Sequence, residues 1–387
     1  MKIFIISRGY PSKKDPQWGC FEKDQAEALV AMGHQVVMIS YDTRFRFYWR
    51  KLGIDYKASN GVVSYSIYMI PDNIIKLLFG YRINSRFSDL LINKVYQAAV
   101  KKFGKPDILY SHYLDRTRAA LSLKRKYDIP LVALEHWSEV NKDKLKNYVR
   151  IMGEDTYKHV DFQLSVSESL RKRIYDHFHV DSKVIHNMYG KEFFYSDNEL
   201  HEGDYLQYVS TASLLHLKGF DLLIEAFAKS GISKQNWRLV IIGEGPERHN
   251  LEKQIRVKGL DNNIFLVGRK QRYEVVKILQ QSNVFVLPSR TENFSVAVLE
   301  GLACGLPVIA SICGGIRECI NEKNGLLFPV EDVKSLSLCL QRMQENYSKY
   351  NRKAIADNCH TSFSPETIAK QLTVLFEDVL NKKKRRY

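Results

Sequence analysis

Short apolar runs alternate along this chain with longer stretches in which apolar residues recur every three or four positions, the pattern of strands separated by helices. Lys2–Ser7 reads as a first buried strand, Phe21–Met32 as a helix closed by Gly33 and His34, and Gln35–Ser40 as a second strand. Asp107–Ser111 and Pro130–Leu134 read as strands on either side of a helix over Thr117–Lys126. Asp161–Val166 is a strand, followed by a helix opened by Ser167 with Glu168 in its first turn, and Val184–His186 is a short strand. Asn198–Asp204 is polar and lacks periodicity, which makes it a linker. A second series follows. Its strands are Leu206–Ser210, Arg238–Ile242, Ile264–Val267, Val284–Leu287 and Val308–Ala310, and its helices are Phe220–Ala228, Glu247–Lys258, Tyr273–Gln281 and Val296–Ala303. A last helix spans Pro365–Asn381 after an N-cap at Ser364. This alternation predicts an α/β class with parallel sheets. The expected architecture is two Rossmann-like, doubly wound domains facing a central cleft, with ligands outside the carboxyl ends of the strands. The domains are drawn at 1–197 and 205–363, joined by 198–204, with 364–387 as a closing helix and basic tail.

Length agrees with this division, since 387 residues suit two domains better than one. No run of 18 or more uncharged apolar residues is present, so no membrane span is expected. The N-terminal apolar run is too short for a signal peptide and fits a first strand. Six cysteines without C-x-x-C spacing read as reduced cytosolic thiols.

Charge adds a partner. Lys and Arg number 58 against 43 Asp and Glu, a formal net charge of +15. Such an excess predicts an anionic partner: nucleic acid, anionic lipid headgroups or a phosphorylated substrate. Basic and aromatic residues are interleaved in Arg44, Phe45, Arg46, Phe47, Tyr48, Trp49, Arg50 and Lys51, and again over 74–87. Lys382–Arg386 forms a basic tail, whose plainest reading is a solvated end. Basic residues among aromatics suit a membrane interface. They also suit single-stranded nucleic acid, but no nucleic-acid-binding motif accompanies them.

Candidate chemistry centres on Glu292 and Glu300, which bracket a strand-to-helix junction. The helix N-terminus between them offers backbone N–H groups to phosphate. Two acceptor-only carboxylates beside an anion cradle suit a ligand with both hydroxyls and phosphates, such as a nucleotide-sugar. Lys218-Gly219, at a helix start, can place a point charge on a phosphate. Gly243-Glu244-Gly245-Pro246 permits a tight turn, and Gly19 precedes the first helix. His136 follows a strand at its carboxyl end, with Glu135 an equal candidate beside it and His112 a weaker one. No Asp-x-Asp or histidine cluster marks a metal site.

Together these blocks resemble the retaining glycosyltransferases of family four, which have the GT-B fold. The Glu292-to-Glu300 spacing matches that family's paired-glutamate motif. Gly301–Ile309, Gly314–Glu318 and Asn324–Leu327 resemble the blocks after it, and Ser165–Glu168 and Ile185–Asn187 the blocks before the interdomain crossing. Gly19, Phe21 and Gln25, then Gly33–Val36, look like the N-terminal donor loop and helix. The resemblance implies that Glu292 contacts donor-sugar hydroxyls and Glu300 the ribose. It implies that N–H groups of Phe294, Ser295 and Val296 face the sugar and diphosphate, that Lys218 neutralises the leaving diphosphate, and that Gly19 and His136 sit near the donor. The donor is then a UDP- or GDP-sugar, and no metal or cofactor is expected. Gly243 belongs to the same donor site. Ser213 stands where the family usually has an arginine, so one diphosphate contact is either missing or supplied elsewhere, by Arg269 or Arg317. Asn293, Ser295 and Asn187–Gly190 also depart from the usual motifs. The acceptor is expected to be a lipid-linked glycan or lipid phosphate, with a soluble small molecule as the alternative and nucleic-acid binding as the rival of another class. The chain is expected in the cytoplasm, peripheral on the inner membrane face. Arg44, Arg46, Trp49, Arg50 and Lys51 would lie on the membrane and acceptor side, and the last helix would bring Lys382–Arg386 near them.

Overall fold

Mostly parallel strands, many of them leading into a helix, form one sheet in each half of this computed structural model, which describes residues 1–12, 14, 15, 18–44, 52–69, 72–197 and 204–385, and of 72–82 the backbone alone. The chain divides into two units, Met1–His186 with Pro365–Tyr387, and Asn187–Ser364.

The first unit contains β1 (Lys2–Ile6), α1 (Cys20–Ala31), β2 (Gln35–Asp42), β3 (Gly53–Ser59), β4 (Val62–Tyr68), α2 (Asp72–Phe103), β5 (Ile108–His112), α3 (Leu114–Tyr127), β6 (Leu131–Glu135), α4 (Asn147–His159), β7 (Phe162–Ser165), α5 (Glu168–Phe178) and β8 (Lys183–Val184). Its sheet runs β3-β4-β2-β1-β5-β6-β7-β8. The pairing is parallel except at the β3 edge. Ile3, Phe4, Ile5 and Ile6 are all fully buried, as a strand covered on both faces requires. Ser167 caps α5 by accepting the Leu170 N–H at 3.2 Å.

The second unit contains β9 (Leu206–Thr211), α6 (Phe220–Lys229), β10 (Trp237–Ile242), α7 (Arg248–Val257), β11 (Ile264–Leu266), α8 (Arg272–Gln280), β12 (Val284–Leu287), α9 (Val296–Ala303), β13 (Val308–Ser311), β14 (Gly325–Phe328), α10 (Val333–Asn346) and α11 (Arg352–Phe363). Its sheet, β11-β10-β9-β12-β13-β14, is parallel throughout. Phe227 stacks on Trp237 at 4.1 Å in its core.

The final helix, α12 (Pro365–Lys384), belongs to the first unit. His34 Nε2 meets Thr373 Oγ1 at 2.8 Å, and Phe376 packs edge-on to Tyr110. Among the described residues no helix is long and apolar enough to cross a membrane.

Three sequence expectations need correction. The strand pair β3 and β4 and the helices α2, α4, α10 and α11 are absent from the sequence reading, as is β14. β3 is almost wholly exposed and so carries no buried-strand pattern. The first boundary lies at His186–Asn187 rather than at 197. Residues 187–194 bind the second unit: Asn187 Nδ2 donates to the Phe294 carbonyl at 3.0 Å, Tyr189 OH meets His360 Nδ1 at 3.0 Å, and the Phe194 carbonyl accepts from Gln280. Of the expected linker, 198–203 lies outside the described residues. The tail is also placed differently. Lys383 Nζ pairs with Asp128, which precedes the amino end of β6, at 2.8 Å. Arg44 pairs with Asp42 at the carboxyl end of β2, so the two basic segments attach at opposite ends of one parallel sheet. Arg46, Trp49, Arg50 and Lys51 lie outside the described residues.

Candidate active site

In a parallel sheet every carboxyl end opens on one rim, so the loops that follow the strands are neighbours there. In the second unit these loops carry Ser213–Lys218 after β9, Gly243 and Glu244 after β10, Gly268 and Arg269 after β11, Ser289–Glu292 after β12, and Cys313–Arg317 after β13. Most of the residues singled out from sequence are on this rim.

Lys218 closes a single 3-10 turn, His216–Lys218. Gly219 follows with φ 69°, and a Cβ there would stand 2.0 Å from the Pro288 carbonyl oxygen. Only glycine lets the Lys218 turn lie against the β12 loop. Arg290 fixes the same turn from the other side. Its backbone N–H donates to the Leu217 carbonyl at 2.8 Å and its Nη1 to the His216 carbonyl at 2.6 Å. Its guanidinium also grips both Asp221 oxygens, at 2.8 and 2.7 Å, and Glu331 at 2.8 Å. The outcome is an ion pair of 2.5 Å between Lys218 Nζ and Glu292 Oε1, with Ser289 Oγ donating to the same oxygen at 2.8 Å.

The backbone around Glu292 is held by the next loop. A Cβ on Gly314, at φ 53°, would lie 2.1 Å from the Glu292 carbonyl oxygen, and the Gly315 N–H donates to the Asn293 carbonyl at 2.9 Å. Ser311 Oγ donates to the Ser289 carbonyl at 2.5 Å. Cys313, beside it, has its thiol pushed up to about 11, chiefly by burial. Phe294 is buried against Phe363. Ser295 is the N-cap of α9 without a side-chain cap hydrogen bond, so the helix's positive end and the Val296 turn lie just after Glu292. Glu300 is partly exposed one turn further along α9.

Gly243 donates its N–H to the Gly268 carbonyl at 3.0 Å, and a Cβ there would meet the Ala212 carbonyl oxygen at 1.8 Å. Its role in this structure is close packing of the β9 and β10 loops. Ser213, Arg269 and Arg317 are all exposed on the rim.

The first unit gathers a second cluster at its own carboxyl rim. Gly19, φ 77°, is the N-cap of α1, and a Cβ would stand 1.9 Å from the Gly9 carbonyl oxygen. Its lack of a side chain is explained here by backbone packing. Glu22, fully buried, binds Arg8 through Nε at 2.9 Å and Nη2 at 3.1 Å. Burial alone would raise the Glu22 pKa, but the Arg8 charge and hydrogen bonds outweigh it and hold the carboxyl down at about 2. Arg8 in turn lies 4.2 Å from the Tyr113 ring centroid. Tyr113 stacks on His136 at 3.8 Å, and His112 tilts against His136 at 5.3 Å. His112 is fully buried with neither ring nitrogen hydrogen-bonded, and burial lowers its pKa to about 4. Burial likewise holds His136 well below the usual histidine range, so it is neutral at neutral pH. Glu135 anchors the His136 backbone: Oε1 accepts the N–H groups of His136 and Trp137 at 2.9 and 2.7 Å, and Oε2 accepts Tyr157 OH at 2.5 Å. Burial pushes its pKa up to about 7. Arg44 is committed within the chain, to Asp42 at 3.0 Å and Asp15 at 3.2 Å, over the Trp18 ring.

Arg8, Glu22, Tyr113 and Arg290 were not found from sequence. A charged Glu22 on the apolar face of the first helix was the one available signal.

Both units are matched by models of known families. The model of the family "Glycosyl transferases group 1" matches residues 191–358, and that of "Glycosyltransferase Family 4" residues 23–189. An uncharacterized glycosyltransferase of Methanocaldococcus jannaschii is 31% identical over 258 residues, 65% of this chain and 69% of the relative. The chain belongs to the group 1 glycosyltransferases. The N-acetyl-alpha-D-glucosaminyl L-malate synthase of Bacillus anthracis, 24% identical, is similar over 98% of both chains. An O-antigen biosynthesis glycosyltransferase of Escherichia coli is 28% identical over half of each. Among solved structures, sucrose-phosphate synthase of Thermosynechococcus elongatus superposes with a TM-score of 0.78 at 18% identity, covering 98% of this chain and 99% of the other. Anabaena HepE, solved with UDP, gives 0.74 at 15%, covering 97% and 99%. The fold of the family member is therefore GT-B, two α/β domains with parallel sheets.

Proposed function

We propose that this glycosyltransferase moves a sugar, with retention at the anomeric carbon, from a UDP- or GDP-sugar to a lipid-linked glycan or lipid phosphate. The observation that carries the reading is the Lys218–Glu292 pair beside the α9 N-terminus. Departure of the diphosphate leaves an oxocarbenium-like sugar and builds negative charge on the leaving group. Lys218 and the N–H groups of the Ser295–Val296 turn act where that charge develops. Glu292 accepts hydrogen bonds from sugar hydroxyls, and Glu300 from the ribose. His136, a neutral imidazole, serves the transferred sugar through hydrogen bonding. Arg269 or Arg317 supplies the cation that Ser213 does not. Anabaena HepE, solved with UDP and with UDP-glucose, supports the donor class. The O-antigen relative supports a role in surface polysaccharide assembly. The protein acts without a metal, peripherally on the inner membrane face.

Hydrolysis of a panel of UDP- and GDP-sugars by purified protein, followed by acceptor screening with and without EDTA, tests this. Release of nucleoside diphosphate from at least one donor, with inversion excluded by product NMR and no loss in EDTA, is the expected result. An inverted product removes the retaining mechanism, and loss of turnover in EDTA removes the metal-free one.

A further inference from the structure

Tyr113 adopts φ 68° and ψ 142° at the N-cap of α3. Glycine visits that region readily, whereas for a bulky side chain a positive φ is a genuine outlier. The surrounding bonds hold it there. Its N–H donates to the Leu134 carbonyl at 3.1 Å, and its own carbonyl accepts the Thr117 N–H and hydroxyl, each at 2.9 Å. Those contacts are made by backbone atoms and would survive with glycine in place. What tyrosine adds is a ring, 8% exposed as a residue, packed between two functional groups. On one side is the Arg8 guanidinium, itself fixed by the buried Glu22 carboxylate. On the other is the His136 imidazole, stacked at 3.8 Å with 20° between the planes.

We propose that Tyr113 is a positioning residue for His136, its ring setting the plane of the imidazole while Arg8 and Glu22 hold that ring from behind. This rests on the reading that His136 serves the transferred sugar. Glu135 fixes the backbone at His136 through the N–H groups of His136 and Trp137, and the Tyr113 ring supplies a flat surface against the imidazole itself. The strained backbone of Tyr113 delivers such a surface. Strain retained by a bulky residue at the rim that carries the ligand-binding loops is the signature of a functional constraint.

The test compares Tyr113→Gly, which relieves φ and removes the ring, with Tyr113→Phe, which keeps the ring. Turnover is read as nucleoside diphosphate released from UDP-glucose, UDP-N-acetylglucosamine or GDP-mannose, whichever the enzyme uses. For Tyr113→Gly the expected result is a fall in kcat on the order of 100-fold, the cost of a misplaced group at the reacting centre. Its donor KM should stay the same, with turnover read well below its melting temperature because the buried ring is lost. Tyr113→Phe should stay within about twofold of the parent in kcat, the same scale of misplacement being absent. Undiminished turnover in Tyr113→Gly overturns the proposal. Should Tyr113→Gly fail to fold, Tyr113→Ala, which leaves the backbone strain as it is in the parent and removes the ring, is held to the same kinetic outcomes. A loss of melting temperature that parallels the loss of turnover in both variants also overturns it, since a structural role then suffices.

His136→Ala separates the two readings. If it turns over like the parent, the role of His136 fails and takes the proposal with it. If it is inactive while Tyr113→Gly is active, only the proposal fails. Adding Tyr113→Gly to His136→Ala should cost nothing further, because residues acting through one group are not additive. If none of the three donors turns over, the His136 ring protons decide. Stacking holds them upfield in the parent and in Tyr113→Phe, and Tyr113→Gly should release them. Unchanged shifts overturn the proposal.

Discussion

Lys218 Nζ and Glu292 Oε1 meet at 2.5 Å across 74 positions of sequence. The pair does two things at once. It orients Glu292 as an acceptor, and it holds Lys218 at the rim without fully burying it, since the Lys218 and Glu292 side chains are 21% and 11% exposed. A diphosphate that reaches Lys218 therefore meets a cation already aimed.

Glu292→Ala and Glu300→Ala should differ in kind. Glu300→Ala should weaken nucleotide binding by on the order of 1–3 kcal/mol, the loss of a charged hydrogen bond. Glu292→Ala should lower kcat while nucleoside diphosphate still binds. Lys218→Ala should lower kcat more than Lys218→Arg, because positive charge is the required element. Titration calorimetry with UDP and GDP, beside the kinetics, checks all four. Wild-type turnover in both glutamate variants would remove this site.

Arg290→Ala should impair Lys218 without touching the ligand. It unties the His216–Lys218 turn and leaves Asp221 without its bidentate partner. Stability should fall by roughly 1.5–3 kcal/mol for a lost charged hydrogen-bond set. Residual folded enzyme, measured well below its melting temperature, should still show reduced kcat. Full kcat there would mean the turn holds itself.

Gly219→Ala meets both a positive φ and a carbonyl oxygen 2.0 Å from the new methyl. Either the α6 N-terminus or the Pro288 loop must shift, and the loss should exceed about 1 kcal/mol. Gly231→Ala is the control. It has a similar φ of 69°, but its nearest neighbour is the flexible end of Gln341 at 3.8 Å. Denaturant midpoints for the pair should rank Gly219→Ala well below Gly231→Ala, and equal midpoints would discount the close approach.

Acid should act through Glu22. Its folded pKa is about 2 against an ordinary 4.5, so the unfolded chain binds more protons in that interval. Stability present above pH 4.5 is lost as pH falls toward 2, by on the order of 3 kcal/mol. Glu135 acts in the opposite sense. Its folded pKa of about 7 means that its stabilising share is complete below pH 4.5 and is lost as pH rises to 7. Urea melts across this range should flatten below pH 4.5 in Glu22→Gln and between 4.5 and 7 in Glu135→Gln. Unchanged slopes would show that neither group is so placed.

Vesicle flotation tests membrane attachment. Anionic vesicles at low salt should carry the protein up and high salt should release it, each basic residue near the leaflet contributing about 1 kcal/mol. Because Lys383 is tied to Asp128 and Arg44 to Asp42, charge reversal of the tail alone should leave part of the binding intact. An active enzyme that does not float with anionic vesicles would favour a soluble acceptor.

The sequence carries those parts of the fold whose signal is local. Ile3–Ile6 announces a buried strand by its own composition, and Ser167 with Glu168 announces a helix start. Glu292 and Lys218 were legible because their neighbours form a recognisable order. What stayed hidden depends on distant partners. Arg290 is one more arginine until Asp221, 69 positions away, and Glu331, 41 away, are folded against it. Tyr113 shows its positive φ only once α3 is docked. β3 was missed because an exposed edge strand has no reason to be apolar.

The second unit is inserted between His186 and Pro365 of the first. On a ribosome the first unit therefore emerges without α12, whose Leu372, Leu375 and Phe376 fill its core. Those side chains arrive only after all of Asn187–Ser364 has been made, on the order of ten seconds or more at roughly 5–20 residues per second. During that interval Tyr110 lacks its Phe376 contact and α1 lacks the helix that packs on it. Synthesis thus reaches the end of the second unit before it supplies the helix that closes the first.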